Sequence, residues 1–354
     1  MAALLLDRSR APVAFGRRAV PQLFEELQQP ETSCRQRALN SLCDLMHDPE
    51  RIYQTVNGGF LDQMKVLLED EDPSVRANTC KLLYMLTGHN IGRQALLSSS
   101  LLPPLSQLLD DNLCSCRRNV HRVLNRLTLL PAGAEALLSL VPKLMLKLKL
   151  QEEGEEEEEE EEVQVLLLST VCSCSRLDPL PALSSDGVSL LGRKLSHHSS
   201  DIRREAAAAM MALSVSGDGK QQVCEEAVLP VLVDLLRDQE VEVQANAAGV
   251  IMYTAIITTG KQQCLDLGVI PILLDLVSKK KEEEEEKEEE KRRRRKVLIM
   301  YSLRALTSLA EIPKGRCLLL EQLPLLVERS EAAEEDQDIR RAAQSAVRVV
   351  TWAP

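Results

Sequence analysis

The chain has 354 residues, 44% hydrophobic and 27% charged, a balance that can bury a core and is too apolar for a chain disordered throughout. Aromatic residues are only 2% against an excess of Leu, Ala and Val, which disfavours an all-β fold and favours Leu/Ala helix packing. Of the net charge of −11, the run Glu155 to Glu162 alone contributes eight negative charges, and no global basic field marks a nucleic-acid binder.

The apolar start Met1 to Leu6 meets Asp7 and Arg8 at once, too short a run for a secretory signal, and residues 1–17 read as an N-terminal tail. From residue 18 to 354 one pattern returns. An apolar residue, Pro and Leu-rich spacing recur at Pro21, Pro103, Pro142, Pro230, Pro271 and Pro324, with Asp62 and Ser189 in the same slot. The steps between these eight positions are 41, 41, 39, 47, 41, 41 and 53 residues. A second marker follows thirteen residues later, an apolar residue and then Arg or Gln, at Cys34-Arg35, Val75-Arg76, Cys116-Arg117, Ile202-Arg203 and Val243-Gln244. A third, Gly before a small or basic residue, stands seventeen residues beyond the second at Gly92-Arg93, Gly133-Ala134, Gly219-Lys220, Gly260-Lys261 and Gly315-Arg316. Three markers in one phase define a repeat of about forty-one residues.

Within one unit the spacing predicts a short helix after a Gly stop at Gly260, a second helix over 271–277 with Pro in its first turn, and a longer third over 240–257. Proline is harmless there because its missing N–H had no intrahelical partner. The two long steps each contain a charge run where a surface turn belongs, an acidic insert at 152–162 and a charged insert at 279–296. The Glu run repels itself and is expected to stay extended and mobile, whereas Glu282 to Lys296 suits a solvated helical or disordered insert with Glu to Lys/Arg pairs. Three helices per unit resemble the armadillo pattern, and the chain is expected to form an all-α, right-handed superhelical solenoid of about eight three-helix repeats, with two-helix HEAT repeats as the alternative fold.

Catalytic motifs are missing: no Gly-x-Ser-x-Gly elbow, no His-Glu-x-x-His and no dinucleotide fingerprint occur, and no Asp-x-Asp-x-Asp-Gly loop indicates calcium. Gly217-Asp218-Gly219-Lys220 resembles a phosphate loop only faintly, since Gln221 stands where Ser or Thr should hold Mg²⁺, and it reads as the recurring turn between helices. Cys114/Cys116 and Cys172/Cys174 are one residue apart, too close for usual zinc spacing, and read as core. His197-His198 lies in a turn with no third ligand. The ten scattered cysteines read as reduced cytoplasmic thiols. The weakly polar stretch Ala247 to Ile257 covers about half of a bilayer span. No enzyme, cofactor, metal, small-molecule substrate, nucleic acid or membrane partner is expected.

What remains is the wall lined by the third helices. Its inner slots hold Asn40/Asp44, Lys81/Met85, Arg122/Arg126, Ala208/Ala212, Gly249/Tyr253 and Arg304/Ser308. None is the Trp/Asn pair of nuclear import receptors, which disfavours that role. Lys81, Arg122 and Arg126 suggest a basic patch for an acidic partner, with Tyr253 as a further contact.

Several stretches narrow the resemblance, among them Arg18 to Leu23, Leu42 to Glu50, Gly219 to Cys224, Asn246 to Gly249, Arg304 to Glu311 and Arg341 to Gln344. By these the chain is similar to the armadillo-repeat proteins of the radial spoke. That resemblance implies a structural part of the ciliary axoneme, bound to other radial spoke proteins, and brings no catalytic residues with it. The insert at 279–296 departs from the expected pattern. The rival expectation is a soluble cytoplasmic or nuclear adaptor that binds linear peptides for transport or assembly.

Overall fold

The computed structural model describes residues 16, 18–150, 158–278, 289–332 and 336–352, with Glu158, Glu159 and Glu160 by backbone alone. Among these residues there are helices and turns and no strand. The chain is an all-helical repeat protein of the solenoid type. Long helices recur at Thr32–Leu45, Pro73–Thr87, Cys114–Leu127, Glu158–Leu177, Ser200–Leu213, Val241–Thr254, Glu289–Leu309 and Gln337–Val350, each with two shorter helices before it where the unit is complete. One such unit is Gly217–Glu225, Leu229–Leu235 and Val241–Thr254, short, medium and long as the spacing predicts. Two compact units divide the chain, one reaching to Leu140 and including the helix residues to Thr170, the other holding Val141–Leu150 and the residues from Val171 onward.

Each unit has its own apolar core. In the first, Val75, Cys80, Leu82, Leu83 and Leu86 of one long helix lie buried near Val120, Val123 and Leu124 of the next long helix. In the second, Ala206, Ala207, Ala209, Val243, Ala247, Val250 and Ile251 do the same, and small side chains let the long helices approach. Fully burying one Leu or Val is worth about 1.5–3 kcal/mol, so a few such residues per helix decide the fold.

All six marker prolines sit in the first turn of a second helix. The second marker is a clasp. Arg76 donates through Nη1 to the carbonyls of Asp70 and Glu71 at 2.8 and 3.1 Å, capping the end of the preceding helix, and through Nε to Asp111 at 2.7 Å in the next repeat. Arg203 does the same to His197 and His198 at 2.9 and 2.7 Å and to Asp238 at 2.8 Å. Arg35 holds Gln29, Pro30 and Asp70, and Gln244 keeps the carbonyl bond to Asp238 without the charge. The aspartates in turn accept the N–H two residues on, as Asp111 does from Leu113 at 2.8 Å, which starts the next long helix.

The third marker follows from close backbone approach. A β-carbon on Gly133 would lie 1.9 Å from the Leu127 carbonyl oxygen, and one on Gly219 would lie 2.0 Å from that of Leu213. The basic residue after it caps the long helix, Arg93 on Thr87 at 2.9 Å and Lys220 on Val215 at 2.6 Å. Gly260 is therefore the buried third residue of Thr258–Asp266 rather than a stop, which corrects the sequence expectation. A further device had no visible marker: Gly59, Asp186, Ala227 and Gly268 all take left-handed backbone between the first and second helices.

The acidic run also departs from expectation. From Glu158 onward it opens the helix Glu158–Leu177, and within that helix Glu162 binds Arg122 across 40 residues. Glu155 to Glu157 lie outside the described residues, as do 279–288 of the second insert. Residues 289–296 begin the helix Glu289–Leu309, where Arg294 pairs with Glu290 at 3.4 Å and with Glu242 at 2.8 Å.

Candidate interaction groove

The expected basic patch lies in the first unit, and the fold has engaged two of its three cations. Arg122 forms a two-pronged pair with Glu162, 2.7 Å from Nε and 2.9 Å from Nη2. Arg126 lies over the Tyr84 ring, 3.7 Å from its centroid, and donates to the Tyr84 carbonyl at 2.8 Å. A guanidinium held by stacking and a carbonyl bond is part of the helix packing. Lys81 is exposed on Pro73–Thr87 and forms none of the ion pairs among the described residues. The patch thus offers less free charge than the three residues suggest in sequence.

Tyr253 lies in the second unit, where an open groove of about 560 Å³ is lined by Tyr253, Ile256, Arg304, Ser308 and Arg341, with Asp338 at one side. Three long helices supply it. Tyr253 lies in the last turn of Val241–Thr254, and Thr307 and Ser308 stand three and four residues after Arg304 on one face of Glu289–Leu309. Arg341 and Ser345 do so on Gln337–Val350. Upstream of the groove Gly249 sets the helix spacing, since a β-carbon there would meet Met211 Sδ at 2.3 Å and the Tyr301 ring at 3.2 Å.

The charges in the groove are unequal. Lys296 binds Asp338 at 2.6 Å and Asp336 at 3.0 Å. The hydrogen bond to Asp338, then that to Asp336, raises the lysine above its ordinary value. Burial pushes the Asp336 carboxyl up, but Lys296 and the Asp338 N–H outweigh it and hold it low. Arg304 and Arg341 are exposed and form no ion pair among the described residues. Ile256 keeps 54% of its surface open beside them. The groove therefore presents two uncompensated cations, hydroxyls and an apolar rim.

The phase of the repeat puts Tyr253, Arg304 and Ser308 on this wall, and of the three the sequence marks Tyr253 as a contact. Arg341 is outside the sequence expectation, because the wall slots read from the phase end at Arg304/Ser308, although Ile339-Arg340 repeats the apolar-Arg marker. The remaining sequence candidates are structural here. Lys220 caps a helix, and burial pushes its ammonium below the ordinary value. Cys116, Cys172 and Cys174 are buried, and Cys116 Sγ lies 3.9 Å from Cys80 Sγ. His197 and His198 stack on each other, 4.3 Å between rings. Among the described residues no helix is long and apolar enough to cross a membrane.

Residues 67–281 match the family described as dynein axonemal assembly factor 5-like, TPR repeats. The crystal structure of an engineered protein matches 95% of this chain and 89% of its own with a TM-score of 0.75 at 16% identity, a likeness of fold alone. The matched segment starts in the first unit and its last described residue is Ser278, at the end of Val269–Ser278.

Proposed function

This chain belongs to the dynein axonemal assembly factor 5-like repeat family, and from that premise we propose that it is a non-enzymatic scaffold serving the axoneme of motile cilia and flagella. The family match over 67–281 carries this reading. Helical repeats of this kind present long surfaces that grip protein segments, and the groove at Tyr253 supplies one such surface. In its finer form the proposal places the protein in the radial spoke, where Lys81, the Arg122/Arg126 region and Tyr253 are contact positions for neighbouring spoke proteins. The likeness of Arg18 to Leu23 and Arg304 to Glu311 to radial spoke armadillo proteins supports that form.

A second reading, a soluble adaptor in the cytoplasm that helps to assemble axonemal complexes, is favoured by the word "assembly" in the family description. The two separate in motile multiciliated or sperm cells after detergent removes membrane and soluble matrix. Retention of the tagged protein along the axoneme, lost when other spoke proteins are missing, supports the spoke subunit. Release with the soluble fraction, with dynein arms lost on depletion, supports the assembly adaptor. Normal axonemes and normal beating after complete depletion overturn both.

A further inference from the structure

We infer that the groove between Val241–Thr254, Glu289–Leu309 and Gln337–Val350 receives an extended acidic segment of a partner protein, whose carboxylates pair with Arg304 and Arg341 while an apolar side chain rests on Tyr253 and Ile256. The inference rests on the scaffold reading and gives that scaffold one ligand chemistry. Its basis is charge complementarity. Three half-buried arginines on the long helices of this unit are matched by carboxylates: Arg203 by Asp238, Arg204 by Asp201 and Glu242, Arg294 by Glu242 and Glu290. In the groove the single carboxylate, Asp338, is already taken by Lys296, which leaves Arg304 and Arg341 in excess.

Guanidinium groups bind carboxylates through two parallel hydrogen bonds, so two arginines on neighbouring helices suit successive acidic side chains of an extended chain. Among the described residues the hydroxyls of Tyr253 and Ser308 form no hydrogen bond, and both line the groove, where they can serve a peptide backbone. Polynucleotide fits less well, because its affinity grows with the number of neutralised phosphates, two arginines neutralise few, and the chain as a whole carries −11.

The test is fluorescence anisotropy on the full chain with a short fluorescein-labelled peptide alternating Glu and Leu. Its Gln-for-Glu counterpart and a labelled single-stranded oligonucleotide serve as comparison probes. The acidic peptide binds, and the double variant Arg304→Glu/Arg341→Glu raises its Kd by at least about tenfold, while Arg237→Glu outside the groove leaves it unchanged. Arg304→Lys/Arg341→Lys keeps part of the binding, and Tyr253→Ala weakens it without changing its salt dependence. Circular dichroism and the melting temperature of each variant report folding, and Arg304→Gln/Arg341→Gln replaces the reversal if that variant misfolds. Equal binding of the Gln peptide, indifference to the reversals, preference for the oligonucleotide, or self-association of the chain abolished by the reversals each overturns the inference. The scaffold reading stands or falls separately, on axonemal retention and depletion. A double reversal that rescues depleted cells fully removes the groove and leaves the scaffold.

Discussion

At the scale of single residues, the repeated Arg–Asp clasp is the most informative contact. Burial pushes the Asp111 carboxyl up, but Arg76 and the Leu113 N–H outweigh it and hold the group below the usual carboxylate range. Asp238 behaves alike with Arg203 and the Glu240 N–H. Because the folded values lie below the unfolded ones, this stabilisation is complete above about pH 4 and is lost as pH falls through the folded values. Asp111→Asn is expected to flatten the acid limb of a denaturation curve measured between neutral pH and pH 3. Arg76→Ala leaves a carboxylate whose side chain is only 2% exposed without its partner. Urea denaturation is expected to show a loss of about 3 kcal/mol. The thiols give a second check. Burial pushes Cys172 up to about 11 and Cys43, Cys174 and Cys264 up to about 12. In the native protein at pH 8 a thiol reagent is expected to label exposed Cys317 fast and these four only on unfolding.

At the scale of elements, the junction between a long helix and the next short one is fixed by backbone contact. Gly133→Ala drives a β-carbon into the Leu127 carbonyl and is expected to cost about 2 kcal/mol or more. Gly217→Ala, in the same kind of junction but with nothing within 4 Å, is expected to gain about 0.5 kcal/mol through the unfolded chain. Thermal denaturation of the two variants side by side separates close approach from mere glycine content. The left-handed turn between the first and second helices gives the converse case. Ala227 sits at φ 53° where the equivalent Gly268 sits at 66°. Ala227→Gly is expected to stabilise by about 1 kcal/mol, and an unchanged melting temperature would show that the turn carries no strain.

At the scale of the whole molecule, repetition is what makes the charged inserts tolerable. Each repeat contacts chiefly its neighbours, so a lengthened turn disturbs one junction and leaves the others unchanged. Within the charged insert the basic run Lys291 to Lys296 is partly paired: Arg294 and Lys296 serve neighbouring long helices, while Lys291, Arg292 and Arg293 stay exposed on a helix. An import receptor reads basic clusters in extended chain, so Lys291→Ala/Arg292→Ala/Arg293→Ala is expected to leave the cellular distribution of the tagged protein unchanged. Loss of a nuclear signal on that substitution would favour the soluble adaptor over the axonemal scaffold.

The sequence by itself determined the helix period, the three-helix unit and the positions of the prolines, because each marker is a local requirement: a ring in a first turn, a missing β-carbon, a capping side chain. It also placed Tyr253, Arg304 and Ser308 on one wall, since phase alone decides which face a helical residue takes. Tertiary structure decided which cations are free. Arg122 and Arg126 look as available as Arg304 and Arg341 in the sequence. Only their neighbours, Glu162 forty residues away and the Tyr84 ring on the preceding long helix, distinguish a satisfied charge from an open one. The Arg–Asp clasp recurs at a fixed 35-residue interval, but no such interval marks the partners of Arg122 and Arg126, whose pairing depends on distances between separate helices.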